Sequence, residues 1–242
     1  MQTLKAISDE EYTNQEYYYH LAAAYHSNEL PVMAYFYADK ARQFFKKINS
    51  YLRVIDTETL MLIQIKDDKE FNETIKGFEN LIKSCDICSS PDRKARVLHN
   101  LAFEYYRRKN YELAHKYYFE SMKLKDKEAI PYLLSLEGYI RSSYYGELLS
   151  NDKLLQLIEE GLNTATKKND KLYINLFSLL QYLIKNKEQE YYQYLVEYSL
   201  PLFERLGLVY LIKRSKKELF NYYCKIDESN NALKMAQLLI NV

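Results

Sequence analysis

Glycine, proline and cysteine are scarce in this chain: 5 Gly, 4 Pro and 3 Cys in 242 residues, with no Trp. A β-sandwich or barrel needs a turn every ~8–12 residues, usually built from Gly, Pro, Asn or Asp. So few breakers cannot punctuate that many strands, and an all-β fold is excluded. A doubly wound nucleotide-binding fold is also disfavoured, because no G-x-G-x-x-G is present to turn a strand into a helix. Neither sign of charge prevails: 34 Lys and Arg face 33 Asp and Glu, for a net charge of +1. No global field therefore draws the chain to nucleic acid or to a membrane surface. No apolar run approaches the ~18 residues of a membrane span. The first residues, MQTLKAISDEEY, lack the apolar core of a signal peptide. An odd number of cysteines fits a reducing cytoplasm.

Catalytic signatures are missing as well. No H-E-x-x-H, G-x-S-x-G, P-loop or kinase motif occurs. His20, His26, His99 and His115 are scattered, and Glu159-Glu160 and Asp67-Asp68 are ordinary surface runs. Cys85 and Cys88 form one C-x-x-C, whereas a structural zinc site needs four ligands. The expectation is a chain without catalytic activity, metal or cofactor. A basic cluster, Lys213, Arg214, Lys216 and Lys217, is expected to be a solvated helix face.

What is abundant is tyrosine, with 26 Tyr beside 10 Phe, and it recurs with a beat. In RVLHNLAFEYYRRKNYELAHKYYFESMKLKD, Leu98, Leu101, Ala102 and Tyr105 sit at helical spacing. A polar turn, Arg108-Lys109-Asn110, follows, and Ala114, Tyr118 and Ser121 form a second stripe. This resembles the tetratricopeptide (TPR) helix–turn–helix pattern. Small Ala102 and Ala114 allow close helix approach, and aromatics fill the wedge between successive hairpins. The pattern repeats about 40 residues upstream, as Met61, Leu62 and Ile65 before Phe71, Thr74, Phe78 and Leu81. It repeats again as Tyr18, Leu21, Ala22 and Tyr25 before Ala34, Ala38 and Ala41. At the C-terminal end, Leu219, Phe220 and Tyr223 precede Ala232, Ala236 and Leu239. Two degenerate units lie between, one with Leu154, Ile158 and Gly161, the other with Leu179, Leu183, Tyr192 and Val196.

The expectation is an all-α, right-handed superhelical solenoid of about six hairpins, one continuous TPR-like domain over residues 1–242. Ser8 with Glu11 reads as a capping box, and Ser90-Pro91 as a cap followed by a first-turn proline. Asp170 and Asp227 are expected to cap later helices.

Several segments resemble one TPR group, the peptide-sensing quorum regulators of Gram-positive bacteria (the Rap/Rgg/NprR/PlcR/PrgX group), and most of all its NprR members. They are EYYYHLAAAYHSNELPVMAYFYADKARQFFKK, the RVLHNLAFEYY segment, EEGLNTATKKND and the C-terminal YSLPLFERLGLVYLIKRSKKELFNYYCKIDESNNALKMAQLL. The resemblance implies a cytoplasmic receptor that binds a short secreted and re-imported signalling peptide in a concave channel. It implies a change of conformation or oligomeric state on binding, with a homodimer or higher homo-oligomer as the assembly. Relatives bind DNA through an N-terminal helix-turn-helix module or act on a response regulator through a helical bundle. The repeats begin close to Met1, so neither module is expected here, and DNA would be reached only through a module outside this chain. The alternative is a TPR scaffold that binds a folded partner, such as a sporulation response regulator.

In a TPR stack the first helix of each hairpin lines the concave face. In the third unit the inward positions are Arg96, His99, Asn100, Phe103, Tyr106 and Arg107. Asn can satisfy both an N–H and a C=O of an extended peptide, and Arg can pair with a carboxylate. Asn100, in LHNLA, is the leading candidate, because similar asparagines hold the peptide backbone in the group it resembles. Neighbouring units offer Tyr19, His26 and Thr59 upstream, and Tyr139, Asn175 and Gln181 downstream.

Overall fold

The computed structural model describes residues 15–65 and 67–240. The expected Ser8–Glu11 capping box lies outside the described residues. The rest is helical, and the chain divides into two compact units between Leu148 and Leu149.

The first unit holds α1 (Gln15–Ser27), α2 (Pro31–Lys47), α3 (Tyr51–Leu62), α4 (Phe71–Ile87), α5 (Pro91–Arg107), α6 (Tyr111–Lys123) and α7 (Ile130–Tyr145). Each helix packs on the next. The odd-numbered helices also touch in order, α1 on α3, α3 on α5 and α5 on α7. That is the layered arrangement of TPR hairpins, with one row formed by the first helices. The stripes expected from the sequence form the core. Leu21, Ala22, Tyr25, Ala34, Ala38 and Ala41 are buried in the first hairpin, and Leu98, Leu101, Ala102, Tyr105, Ala114, Tyr118 and Ser121 in the third. Ile65 is an exception, since α3 ends at Leu62 before reaching it.

The second unit holds α8 (Asn151–Lys167), α9 (Lys171–Ile184), α10 (Glu188–Tyr194), a π turn (Leu195–Ser199), α11 (Leu200–Leu206), α12 (Val209–Lys225) and α13 (Ser229–Ile240). Here one expected register fails. Tyr191, Leu195, Ser199 and Phe203 are buried, whereas Val196 is exposed and Tyr192 only half-buried. A four-residue ladder drifts about 40° per step around an α-helix of 3.6 residues per turn. The wider π turn absorbs part of that drift and keeps the ladder on the core face.

The turns explain how the chain manages with so little glycine. Residues Glu29, Asn49, Ser89, Lys109, Glu147, Asn169, Asn186 and Asp227 all take positive φ just past a helix end, as does Gly207. At the α5 end the Asn110 N–H donates to the Tyr105 carbonyl at 3.0 Å and the Lys109 N–H to Tyr106 at 2.9 Å. The same paired bonds close the other eight turns, and together they make the Schellman motif. Asp227 is therefore a C-terminal turn residue, not the expected N-cap. Asp170 does cap α9, accepting from the Tyr173 N–H at 3.0 Å. Ser90 holds the N-cap position before Pro91 without a side-chain capping bond.

Glycine is required where helices approach most closely. A Cβ on Gly138 would meet the Tyr118 ring at 2.4 Å, and one on Gly161 would meet the buried Phe177 ring at 2.6 Å.

Candidate functional site

The row of first helices in the first unit builds a groove of about 190 Å³. Tyr19 comes from α1, Asp56 and Thr59 from α3, and Arg93, Arg96 and Asn100 from α5, over a floor that includes Ile55, Leu60, Ile63 and Val97. Asp56 and Arg96 are 40 residues apart in sequence. The same offset relates Tyr19 to Thr59 and Leu60 to Asn100. The repeat thus places equivalent helix positions side by side.

The polar side of this groove is organised on the nearly buried Asp56 carboxylate. Arg93 donates from Nε to Oδ1 at 3.1 Å and from a terminal nitrogen to Oδ2 at 3.0 Å. Arg53 adds a bond to Oδ2 at 2.9 Å and Arg96 one to Oδ1 at 3.0 Å. Arg53 also pairs with Glu16 and lies over the Tyr19 ring, 4.1 Å from its centroid. Burial works to lower the Arg53 pKa, but the bonds to Glu16 and Asp56 outweigh it and raise it. Thr59 turns its hydroxyl onto the Ile55 carbonyl at 2.7 Å. Two groups stay available. The half-buried Asn100 amide has no hydrogen-bond partner among the described residues, and the Arg96 side chain is 54% exposed with one nitrogen engaged.

Other expected site residues lie elsewhere. His99 sits between helices, with Nδ1 3.0 Å from Ser135 Oγ and its ring edge-on to Tyr118 at 5.2 Å. Burial first, and the Lys125 charge second, hold its pKa far below the ordinary histidine value. Phe103 packs against the core between α3 and α6. Tyr106 meets the rings of Tyr111 and Tyr145. Arg107 pairs with the buried Glu104 at 2.9 Å. Tyr139 lies tilted against His115, 4.3 Å between centroids, and against Phe119. His115 is half-buried and bonded to Ser143 Oγ at 2.8 Å. His26 binds Gln64 at its own helix end. In the second unit Asn175 is 5% exposed and its Oδ1 has no hydrogen-bond partner, while Gln181 is half-buried on α9.

The sequence reading passed over Arg53, Asp56 and Arg93. The 40-residue offset from Asp56 to Arg96 is the signal that marks them. The basic cluster is only partly the solvated face expected. Arg214 makes the i,i+4 pair with Glu218 at 2.9 Å, but Lys216 is 5% exposed and reaches Glu204 at 3.5 Å.

Among the described residues no group of three or more His, Cys, Asp or Glu could hold a metal ion. Burial pushes the Cys85 thiol up to about 11, so it stays protonated and unreactive near neutrality. No described helix is long and apolar enough to cross a membrane.

No family model matches the chain, and no curated protein matches it in sequence. Solved structures do match in fold. The Rap conjugation gene regulator of plasmid pLS20, solved with a Phr peptide, superposes with a TM-score of 0.78 at 17% identity, over 99% of this chain and 66% of that one. The apo quorum sensor NprR from B. thuringiensis gives 0.72 at 20% identity, over 96% of this chain and 66% of that one. Aspartyl phosphate phosphatase F from Bacillus subtilis gives 0.71 at 18% identity, over 99% and 62%. The chain thus spans just under two thirds of the length of these three. Its helical hairpins have the TPR-like fold of the Rap and NprR quorum sensors.

Proposed function

We infer that this chain is the receptor domain of a quorum-sensing regulator and binds a short linear signalling peptide. The observation that carries the reading is the unbonded Asn100 amide beside the half-exposed Arg96, in a groove built from equivalent positions of three successive hairpins. An extended peptide brings N–H and C=O groups without strand partners, and one Asn amide answers both. Two structural neighbours support the assignment, the pLS20 Rap regulator with its Phr peptide and NprR with its cognate peptide NprX. His99, Phe103, Tyr106 and Tyr139 pack between helices, and Arg107 pairs with Glu104 on its own helix. In this reading peptide binding changes conformation or oligomeric state, with a homodimer as the basic assembly in the cytoplasm.

Calorimetry with synthetic peptides of five to ten residues tests it. Saturable binding is expected, and Asn100→Ala should weaken it by about 1–3 kcal/mol, the cost of an unmet amide. Unchanged affinity in that variant would remove Asn100 from the site.

A second reading, a scaffold for a folded partner such as a response regulator, draws on α2. Its outward residues include Val32 at 79% exposure and Phe36 at 48%. Apolar exposure of this kind marks protein contacts. Co-purification of a folded partner, with no thermal shift from any peptide, would favour it.

A further inference from the structure

Beside the groove lies a cation with no counter-charge among the described residues. Lys125, just past the end of α6, donates from Nζ to Ser135 Oγ on α7 at 2.6 Å. That is its one hydrogen bond among the described residues, so two of its three N–H donors remain open. The Ser135 oxygen lies 3.0 Å from His99 Nδ1 and 3.1 Å from Ser121 Oγ, and the Ser121 hydroxyl donates to the Ala95 carbonyl at 2.6 Å. These neighbours are neutral. The adjacent carboxylate, Asp126, accepts from the Glu128 N–H at 3.0 Å. After burial, the charge that bears most on Lys125 is Arg96, another cation, and together they lower the lysine pKa to about 8.

A half-buried ammonium near a like charge is costly unless something anionic completes it. The surrounding inventory does not supply it. Arg53, Arg93, Arg96 and Lys125 stand against Glu16 and Asp56, and Asp56 already accepts from three arginines. Arg96 has one nitrogen on Asp56 and the rest of its fork exposed. Asn100 follows one turn along α5, on the same groove wall.

We propose that Arg96 and Lys125 form a seat for a carboxylate of the bound ligand, with Ser135 holding Lys125 in place and Asn100 gripping the adjoining backbone amide. The seat deepens the peptide reading given above and rests on it for the identity of the ligand. The carboxylate comes from the peptide's free C-terminus or from an acidic side chain, and both present the same two oxygens.

The test follows the Lys125 ammonium itself, by NMR of the full chain carrying carbon-13-labelled lysine, with the signal assigned by its loss in Lys125→Met and Lys125→Gln. Three probes are compared at equal concentration: N-acetylglycylglycine, its C-terminal amide, and an N-acetylglutamate α-amide. A seated carboxylate should raise the Lys125 titration midpoint by about one unit, a tenfold gain in proton affinity. The acid that produces that shift identifies the source, and the neutral amide should not produce it. Equal response to all three, or to none, overturns the seat. Thermal shift with peptide pools bearing free or amidated ends runs beside it. Binding without preference for the acid sinks the seat and leaves the peptide reading intact. A Lys125 response to the acids, with no peptide binding, keeps the seat and sinks that reading.

Discussion

Asp56 illustrates what single residues contribute here. One carboxylate, 4% exposed, accepts from Arg53, Arg93 and Arg96, and so ties α3 to α5. Removing its charge leaves the partly buried Arg93 without a carboxylate and Arg53 with Glu16 alone, which is costlier than losing a surface pair. Asp56→Asn should lower stability by about 3 kcal/mol in urea denaturation. Glu16→Gln, which removes the more exposed Arg53 partner, should cost less than about 1 kcal/mol. If both variants lose the same small amount, the hub is not structural. The hub was hard to read from the sequence, because an Asp in a helix has no signature until its partners are known. Repeat spacing put Asn100 and Arg96 on the groove wall, where they lie, but it gave the same inward position to His99, Phe103, Tyr106 and Arg107, which lie elsewhere. Lys125 was not, because it sits in KLKDKE, which looks like a solvated charge run.

At the scale of elements, the hairpins were legible because small and aromatic residues recur at fixed offsets. Ala102 and Ala114 are fully buried where α5 meets α6, as their size required. The segment 188–206 was not legible, because QEYYQYLVEYSL offers apolar side chains in two registers and only the π turn chooses between them. The turns carry a testable cost. A non-glycine residue in the left-handed region gives up roughly 1 kcal/mol relative to glycine. Lys109→Gly and Glu147→Gly should each stabilise the chain by roughly 0.5–1 kcal/mol, seen as a higher melting temperature. Gly207→Ala should do the reverse, because Gly207 has φ of +65° with open space around it. A fall in stability for both glycine variants would mean that unfolded-state entropy outweighs the relief of strain.

For the molecule as a whole, a net charge of +1 removes global repulsion as a source of pH dependence near neutrality. The pH response then falls to a few buried groups, with signs set by the protons each state binds. His99 and His115 titrate below the ordinary value of 6.5, so under acid the unfolded chain takes up protons that the fold refuses. Stability should therefore fall as pH drops below about 6.5. Lys125 sheds its proton near 8 in the fold against 10.5 when unfolded, so stability should rise as pH climbs above about 8. Water reaches part of that side chain, which holds the gain to roughly 1 kcal/mol per pH unit at most. Cys85 acts in the opposite direction. Its thiol ionises near 9.0 when unfolded but near 11 in the fold, and above about 9 the unfolded state gains. The profile should be level around neutrality, lift between about 8 and 9, and flatten or fall beyond. Urea midpoints measured across this range in the parent chain and in Lys125→Met decide the matter. The variant should be more stable at neutral pH and lose the lift, whereas an unchanged profile would mean that Lys125 already has its counter-charge.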